Sequence, residues 1–324
     1  MLFITNREMV KGLHGFSFHL DNNAPGNSVL FCEAGEKGHK MIDSACFMGQ
    51  MKESEYKQIL FYIHGYSNLP EPDIFPRAKK LQAMLDKFEP GLALVVPIIW
   101  PCDNDLGAIK DYWDDQQAAD ASAFSFARLL QKFIAWRGAN TEDEQCFKRV
   151  NILAHSMGNR VLRRTLFDWD RYHLANGVPM LFRNIFMMAA DVVNETLEKG
   201  KAGEHIPLSA RNVVSYYASD DMAMPASKIT NLKNKIVSRR LGMTGPEDMS
   251  KVPDNVYAID CDDFNNSYDF PTGHCYFLDD GKGKPGEAFL HMASCIKTGR
   301  VRSEKYRRLI LAHGFTKKEN KEMR

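Results

Sequence analysis

Two unbroken apolar runs constrain the fold of this chain most. "QILFYI" runs into His64-Gly65, and "LALVVPIIW" runs into Trp100-Pro101. Neither alternates with polar residues, so each reads as a strand buried on both faces. A sheet of such strands needs helices on either side. The stretch between the runs supplies one, because "FPRAKKLQAMLDKF" spaces Leu81, Met84, Leu85 and Phe88 helically. A longer helix, rich in alanine on one side, is predicted from about Asp114 to Trp136. Then come "RVNILA", a helix from Gly158, "RNIFMMAA" ending at Asp191, "ARNVVSYYAS" ending at Asp220-Asp221, and "NVYAID". Strands alternating with helices imply right-handed crossovers and a mostly parallel central sheet, the α/β class. "EAFLHMASCI" and "SEKYRRLILAHGF" read as closing helices.

The region before this pattern holds short strand-like pieces, "MLFITN", "FSFHL" and "SVLFCEA", between Gly, Asn and Pro turns. The expected organisation is an N-terminal extension over 1–57 packed on a main domain over 58–315. Residues 316–324, "TKKENKEMR", read as a solvated tail. A length of 324 residues suits one such α/β domain, and 44% apolar residues suffice for its core.

Charge and cysteine usage narrow the function classes. The net charge of +1 gives no global attraction for nucleic acid or an anionic membrane. No apolar run approaches the roughly 18 residues of a membrane span. The start, "MLFITNREMV", lacks the pattern of a signal peptide. The seven cysteines are odd in number, scattered and without a C-x-x-C pair, which fits reduced thiols in a cytoplasm. No H-E-x-x-H, Walker A or G-x-G-x-x-G string occurs, so no metal or organic cofactor is expected. "DCDDFNN" lacks the spacing of a calcium loop and reads as a solvated acidic turn. Oligomeric state is not legible.

One stretch carries chemistry: "VNILAHSMGNRVLRRTLF", Val150 to Phe167. A buried strand becomes a helix here, and Ser156 stands at the junction. In parallel sheets, reactive groups sit at the carboxyl ends of strands. A tight strand-to-helix turn strains its central residue and lifts that side chain clear of the sheet. It also needs small neighbours, which Ala154 and Gly158 provide. The N–H of Met157 would then lie at a helix N-terminus, where an anion is stabilised. A helix-capping serine is the plainer alternative.

"AHSMG" resembles the G-x-S-x-G nucleophile elbow of the α/β-hydrolase superfamily, with Ala154 in place of the first glycine. "AHSMGNRVL" resembles a largely uncharacterised bacterial subgroup of those hydrolases. That subgroup also has an HG-aromatic turn, here His64-Gly65-Tyr66. It has a D-x-A-(L/M) segment, here Asp221-Met222-Ala223-Met224, and a late G-H, here Gly273-His274. The resemblance covers roughly Ile59 to Phe277.

It implies a serine hydrolase of the esterase or lipase type with Ser156 as nucleophile. A serine hydroxyl needs a base, and a histidine with its ordinary pKa of about 6.5 suits the task. The order nucleophile, acid, base selects His274. His155 should point away, His64 should orient its loop, and His291 sits in an apolar helical pattern. Alignment of "DMAM" selects Asp221 as the acid, with Asp191 and Asp220 as alternatives. Backbone N–H groups of Tyr66 and Met157 would form the oxyanion hole. Trp100, Tyr112 and Trp113 line a pocket or simply pack. The substrate would be a small ester or related acyl compound. No obvious lid is seen, which favours a carboxylesterase. A non-catalytic binding protein, or an acyltransferase or peptidase on the same scaffold, remains the alternative.

Overall fold

The computed structural model describes residues 1–20, 23–103, 108–139, 146, 148–173, 177–223 and 239–312. The predicted tail lies outside the described residues, as does Met224. The N-terminal region contributes β1 (Leu2–Thr5), β2 (Met9–Gly12), β3 (Gly15–Phe18), β4 (Leu30–Glu33), β5 (Lys40–Ile42) and α1 (Ser44–Glu53). The alternating part follows as β6 (Gln58–Ile63), α2 (Phe75–Phe88), β7 (Ala93–Ile99), α3 (Ala108–Ala139), β8 (Arg149–His155) and α4 (Gly158–His173). It continues with β9 (Phe182–Met188), β10 (Ala210–Tyr217) and β11 (Val256–Asp260), then a C-terminal helix (Glu287–Thr298) and β12 (Arg308–Ile310).

Ten strands form one sheet in the order β12-β11-β10-β9-β8-β6-β7-β1-β4-β5. Neighbours from β12 to β1 pair in parallel. β4 and β5 extend this edge with antiparallel pairings. The expected mostly parallel sheet is therefore present, and β1 joins it directly beside β7.

Side-chain alternation sorts the two cores. Ile59, Phe61 and Ile63 of β6 face α1, α3 and α4, burying against Phe47, Leu129 and Leu162. Leu60 and Tyr62 face the other way, toward Leu81 and Leu85 of α2 and Phe289 and Met292 of the C-terminal helix. Both faces of each central strand are covered, which is why the runs carry so few polar residues. Ala119, Ala123 and Ala127 are buried on α3. Arg160 of α4 ties the two helices through Asp120 and Gln116, at 2.7–2.9 Å.

The polar exceptions inside the sheet form one row. Asn151, Asn184 and Asn212 stand opposite one another on β8, β9 and β10. The Asn184 amide donates to Asn151 Oδ1 at 2.7 Å, and the Asn212 amide donates to Asn184 Oδ1 at 2.9 Å. Asn151 donates to Gln58 Oε1 at 3.1 Å, and Gln58 donates to the Ile296 carbonyl at 2.8 Å. The row thus also satisfies a carbonyl at the end of the C-terminal helix, which would otherwise be an unpaired acceptor.

Two parts of the chain depart from expectation. Within "SEKYRRLILAHGF", the described residues 303–312 are not a helix. They form a short 3-10 turn, Lys305–Arg307, and then β12 beside β11. Leu309 is buried between exposed Arg308 and Ile310, an alternation of two that a sheet edge exploits. Arg307 thus ends the turn and Arg308 opens the strand. Conversely, α1 escapes a reading by pattern. It is capped by Asp43, whose side chain accepts from the Cys46 N–H at 2.9 Å, and it buries only Phe47, Met48 and Met51.

The start of α4 approaches the backbone after β6 closely. A methyl group on Gly158 would lie 2.5 Å from the His64 carbonyl oxygen and 2.6 Å from that of Ile63. Backbone cannot yield as a flexible side chain can. Gly158→Ala should cost about 3 kcal/mol or more, read as a lowered thermal melt. A melt equal to wild type would contradict the contact.

His291 offers a pH test of the same packing. It is buried, accepts a hydrogen bond from the Tyr216 hydroxyl at 2.7 Å and donates to the Arg302 carbonyl at 3.2 Å. Burial lowers its pKa from 6.5 to about 4. The unfolded chain therefore takes up a proton that the native state refuses. Its contribution to stability is complete above about pH 6.5 and is lost as pH falls toward 4. Melting temperature should fall over that window, and His291→Gln should flatten the slope. An unchanged slope in the variant would exclude this account.

Candidate active site

The register of the sheet brings the ends of β6, β8 and β10 to one level, and each end carries a predicted site residue. Ser156 follows β8 with φ 50°, the left-handed region that non-glycine residues avoid. Such a conformation costs on the order of 1–3 kcal/mol and persists only when its surroundings hold it. They do so here. The Ser156 N–H donates to the Met188 carbonyl at 3.0 Å. The Ser156 carbonyl accepts from the Asn159 N–H at 3.1 Å and the Asp191 N–H at 3.2 Å. It also accepts the Asn159 side-chain amide at 3.1 Å. Gly65 approaches from the opposite loop, and a methyl on it would lie 3.0 Å from Ser156 Cβ.

Asp221 follows β10 and is buried. Its Oδ2 accepts the Nδ1–H of His274 at 2.6 Å, and its Oδ1 accepts the Ala223 N–H at 3.0 Å. The carboxylate thereby assigns the histidine proton to Nδ1 and leaves Nε2 as the lone-pair nitrogen. His155, the neighbour of Ser156 in the chain, rests its ring against His274 with centroids 4.6 Å apart. Its Nε2–H donates to the His274 carbonyl at 3.3 Å. Among the described residues, neither Ser156 Oγ nor His274 Nε2 has a hydrogen-bond partner, so the two are not bonded to each other here.

The His274 loop is stitched in place by acids and amides. Asp269 Oδ2 accepts the N–H of His274 at 2.8 Å and of Cys275 at 2.6 Å. Asp220 accepts the side-chain amides of Asn265 and Asn266, at 2.7 and 2.5 Å. Asn265 also donates to the Gly273 carbonyl at 3.1 Å. Asp220 therefore holds the loop rather than the imidazole.

His64 has a different task from His274. The Trp100 N–H donates to its Nε2 at 3.1 Å, so its proton resides on Nδ1 and is given to the Gly65 carbonyl at 2.8 Å. The Trp100 ring stacks on it at 5.0 Å, and the indole N–H donates to the His64 carbonyl at 3.0 Å. Burial pushes the His64 pKa down to about 3. Both ring nitrogens are occupied, and the ring stays neutral. A peptide C=O and the next N–H point in opposite directions. By fixing the Gly65 carbonyl, His64 fixes the direction of the Tyr66 N–H. Neither that N–H nor the Met157 N–H has a protein partner among the described residues.

Asp191 is turned elsewhere. It accepts the Tyr112 hydroxyl at 2.6 Å and sits 3.2 Å from Arg240 Nε. Tyr112 packs edge-on against Tyr66 at 5.7 Å. Of the three aromatic residues, Trp100 is buried on His64, Tyr112 is buried on this cluster, and Trp113 is half-buried. Asp115 of α3 was not singled out from the sequence. It accepts the Ser67 N–H at 2.9 Å and the Asp103 N–H at 3.2 Å, tying the loop after Tyr66. Burial pushes its pKa up to about 7, against the hydrogen bonds it accepts. In the acidic turn, Asp260 accepts the Asp262 N–H at 3.0 Å, and Asp262 accepts Ser219. Among the described residues no group of His, Cys, Asp and Glu is arranged to hold a metal ion. None of their helices is long and apolar enough to cross a membrane.

A family model described as alpha/beta hydrolase of unknown function (DUF900) matches residues 40–281. That span includes Ser156, Asp221 and His274. No curated protein and no solved structure matches the chain. The match covers well over half of the sequence, so the chain belongs to this family of α/β hydrolases.

Proposed function

We propose that the protein is a serine hydrolase that cleaves an ester, or a related acyl bond, through an acyl-serine intermediate. One observation carries the reading. A buried Asp221–His274 pair, 2.6 Å apart, packs its imidazole against His155, the chain neighbour of a serine held at φ 50° on a strand-to-helix turn. A capping serine needs neither the strain nor the pair.

The chemistry follows from these groups. His274 Nε2 takes the Ser156 hydroxyl proton as Oγ attacks the substrate carbonyl carbon. The carbonyl π pair moves to oxygen, and the N–H groups of Met157 and Tyr66 stabilise the oxyanion. The tetrahedral intermediate collapses, the bond to the leaving group breaks, and His274 returns the proton to that group. Water then repeats the sequence on the acyl-serine, releasing the acid and restoring Ser156. Asp221 keeps His274 in the productive tautomer and stabilises the imidazolium. The Oγ–Nε2 hydrogen bond forms as substrate enters, since such contacts are often loose in the empty site. No step requires a metal or cofactor. With no apolar lid evident in the sequence, short soluble esters are the favoured class.

A fluorophosphonate probe should label the native protein at Ser156, and Ser156→Ala should abolish labelling. In a comparable hydrolase, loss of the nucleophile costs on the order of a millionfold in turnover. Ester hydrolysis of p-nitrophenyl substrates, followed by spectrophotometry, tests this. Labelling that survives in the alanine variant removes Ser156 from the mechanism. A folded native protein inert to every probe and ester supports a binding protein instead.

The acid is separable by amide substitution. Asp221→Asn should lower kcat by about ten-thousandfold, because the amide favours the wrong histidine tautomer. Asp191→Asn and Asp220→Asn should keep most activity if their melts stay near wild type. A fully active, folded Asp221→Asn beside an inactive Asp191→Asn would move the acid to the loop after β9.

A further inference from the structure

Beneath α3, three cavities adjoin one another. The outermost, about 190 Å³, opens between residues 27–29 and α3, with Ser28, Ser125, Arg128 and Lys132 among its walls. Phe31 and Leu129 form its boundary with the second, about 40 Å³. Every side chain lining the second is apolar, including Phe47, Met48 and Met51 of α1 and Phe133 of α3. The third, about 30 Å³, shares Ile98, Leu130 and Ile152 with it and reaches Val161 on α4. Neither Ser156, Tyr66, Met157, Asp221 nor His274 lines any of the three.

We propose that this passage is a second ligand site, distinct from the Ser156 site, for a free single-chain anionic amphiphile. Its carboxylate head rests at Arg128 and Lys132, and its methylene chain passes Leu129 into the space between α1 and the sheet.

Charge supports the head. Arg128 and Lys132 are exposed, four residues apart and so on one helix face. Like charges at that spacing destabilise a helix, and neither residue has an ion-pair partner among the described residues. An anion between them removes the repulsion, and the guanidinium fork suits two oxygens. Ser28 and Ser125 add hydroxyls at the same mouth.

Shape and lining support the tail. An apolar enclosed cavity gives water no partners and takes hydrocarbon instead. The inner spaces, about 40 and 30 Å³, are too small for a branched or ring-bearing ligand, and only the shared walls at Phe31, Leu129, Leu130 and Ile152 stand between them and the outer cavity, so one unbranched chain enters by displacing those side chains. Met48 and Met51 can reshape to follow it, because methionine is unbranched and has three rotatable bonds. The walls come from segments far apart in sequence: Ile4, Phe31 and Phe47 lie before β6, and Phe133 lies on α3. A bilayer lipid with two chains does not fit so narrow a space, so the occupant is a dissolved monomer.

Decanoate is the probe, with decanol and butanoate as its uncharged and short-chain controls. Calorimetric titration and thermal melts would be run on wild type, on Ser156→Ala and on the double variant Arg128→Glu/Lys132→Glu. Decanoate should bind and stabilise wild type and Ser156→Ala equally, and butanoate should not bind. The double charge reversal, on an exposed helix face, should weaken decanoate by about tenfold and leave decanol unchanged. Circular dichroism would verify that the variant is folded. Three results would overturn the proposal. They are decanoate affinity indifferent to the charge reversal, binding that disappears in Ser156→Ala, and no decanoate binding. Flotation with anionic phosphatidylglycerol vesicles, in the absence of decanoate binding, would assign the cationic mouth to a membrane surface instead.

Discussion

The row Gln58–Asn151–Asn184–Asn212 sets the level of the four central strands, and the site depends on that level. An amide inside a sheet covered on both faces is costly unless it is hydrogen-bonded. Each amide here finds its partner on the adjacent strand only in one register. A slip of one residue would leave buried amides unpaired and would also turn each apolar set to the wrong face. Because the row fixes the amino ends of β6, β8, β9 and β10, their carboxyl ends emerge together. His64-Gly65, Ser156, Asp191 and Asp221 are the residues that emerge. Polar groups near one end of the sheet thus determine where reactive groups stand at the other.

At that other end, strain and support are distributed over different segments. Ser156 carries the unfavourable backbone conformation. The hydrogen bonds that hold it come from β9 and from Asn159 one turn on. The imidazole side is arranged likewise. Asp221 touches His274 directly, and Asp269, Asp220 and Asn265 keep the loop from moving. In the proposed mechanism His274 tolerates little displacement, so holding its backbone matters as much as holding its ring. His64 extends the same logic to a peptide N–H, since it holds Gly65 through a neutral ring that Trp100 clamps.

Sequence legibility tracks how local the cause is. "QILFYI" coincides with β6 because burial on both faces is written in consecutive residues. The turn at Ser156 is legible for the same reason: its small neighbours and its helix lie within a few positions. β12 is not, because "YRRLIL" has too few residues to separate an alternation of two from a helical repeat. α1 is hidden by its weak apolar face and by Gly49 at its centre. The stitching residues are the least visible. Asp115 serves Ser67 at a separation of 48 residues, and Asp220 serves Asn265 at 45. An aspartate or asparagine in a loop looks solvated until the loops that it joins are folded together. The asparagines of the central row did leave a trace, recurring after arginine as Arg183-Asn184 and Arg211-Asn212, but it acquires meaning only through strand pairing.

Helix α3 links the two ends of this architecture. Its first turns face the site: Tyr112 meets Asp191 and Tyr66, and Asp115 holds Ser67. Gln116 and Asp120 then receive Arg160, which stands two residues into α4 and four beyond Ser156. These ties anchor the first half of the helix to the strand-to-helix turn. Sixteen residues beyond Tyr112, Arg128 begins the segment over the apolar cavities, about 24 Å along the axis. There the contacts to the sheet are apolar, and apolar contacts adapt where directional hydrogen bonds do not. One continuous helix can therefore be fixed where it braces the site and compliant where it roofs an internal space.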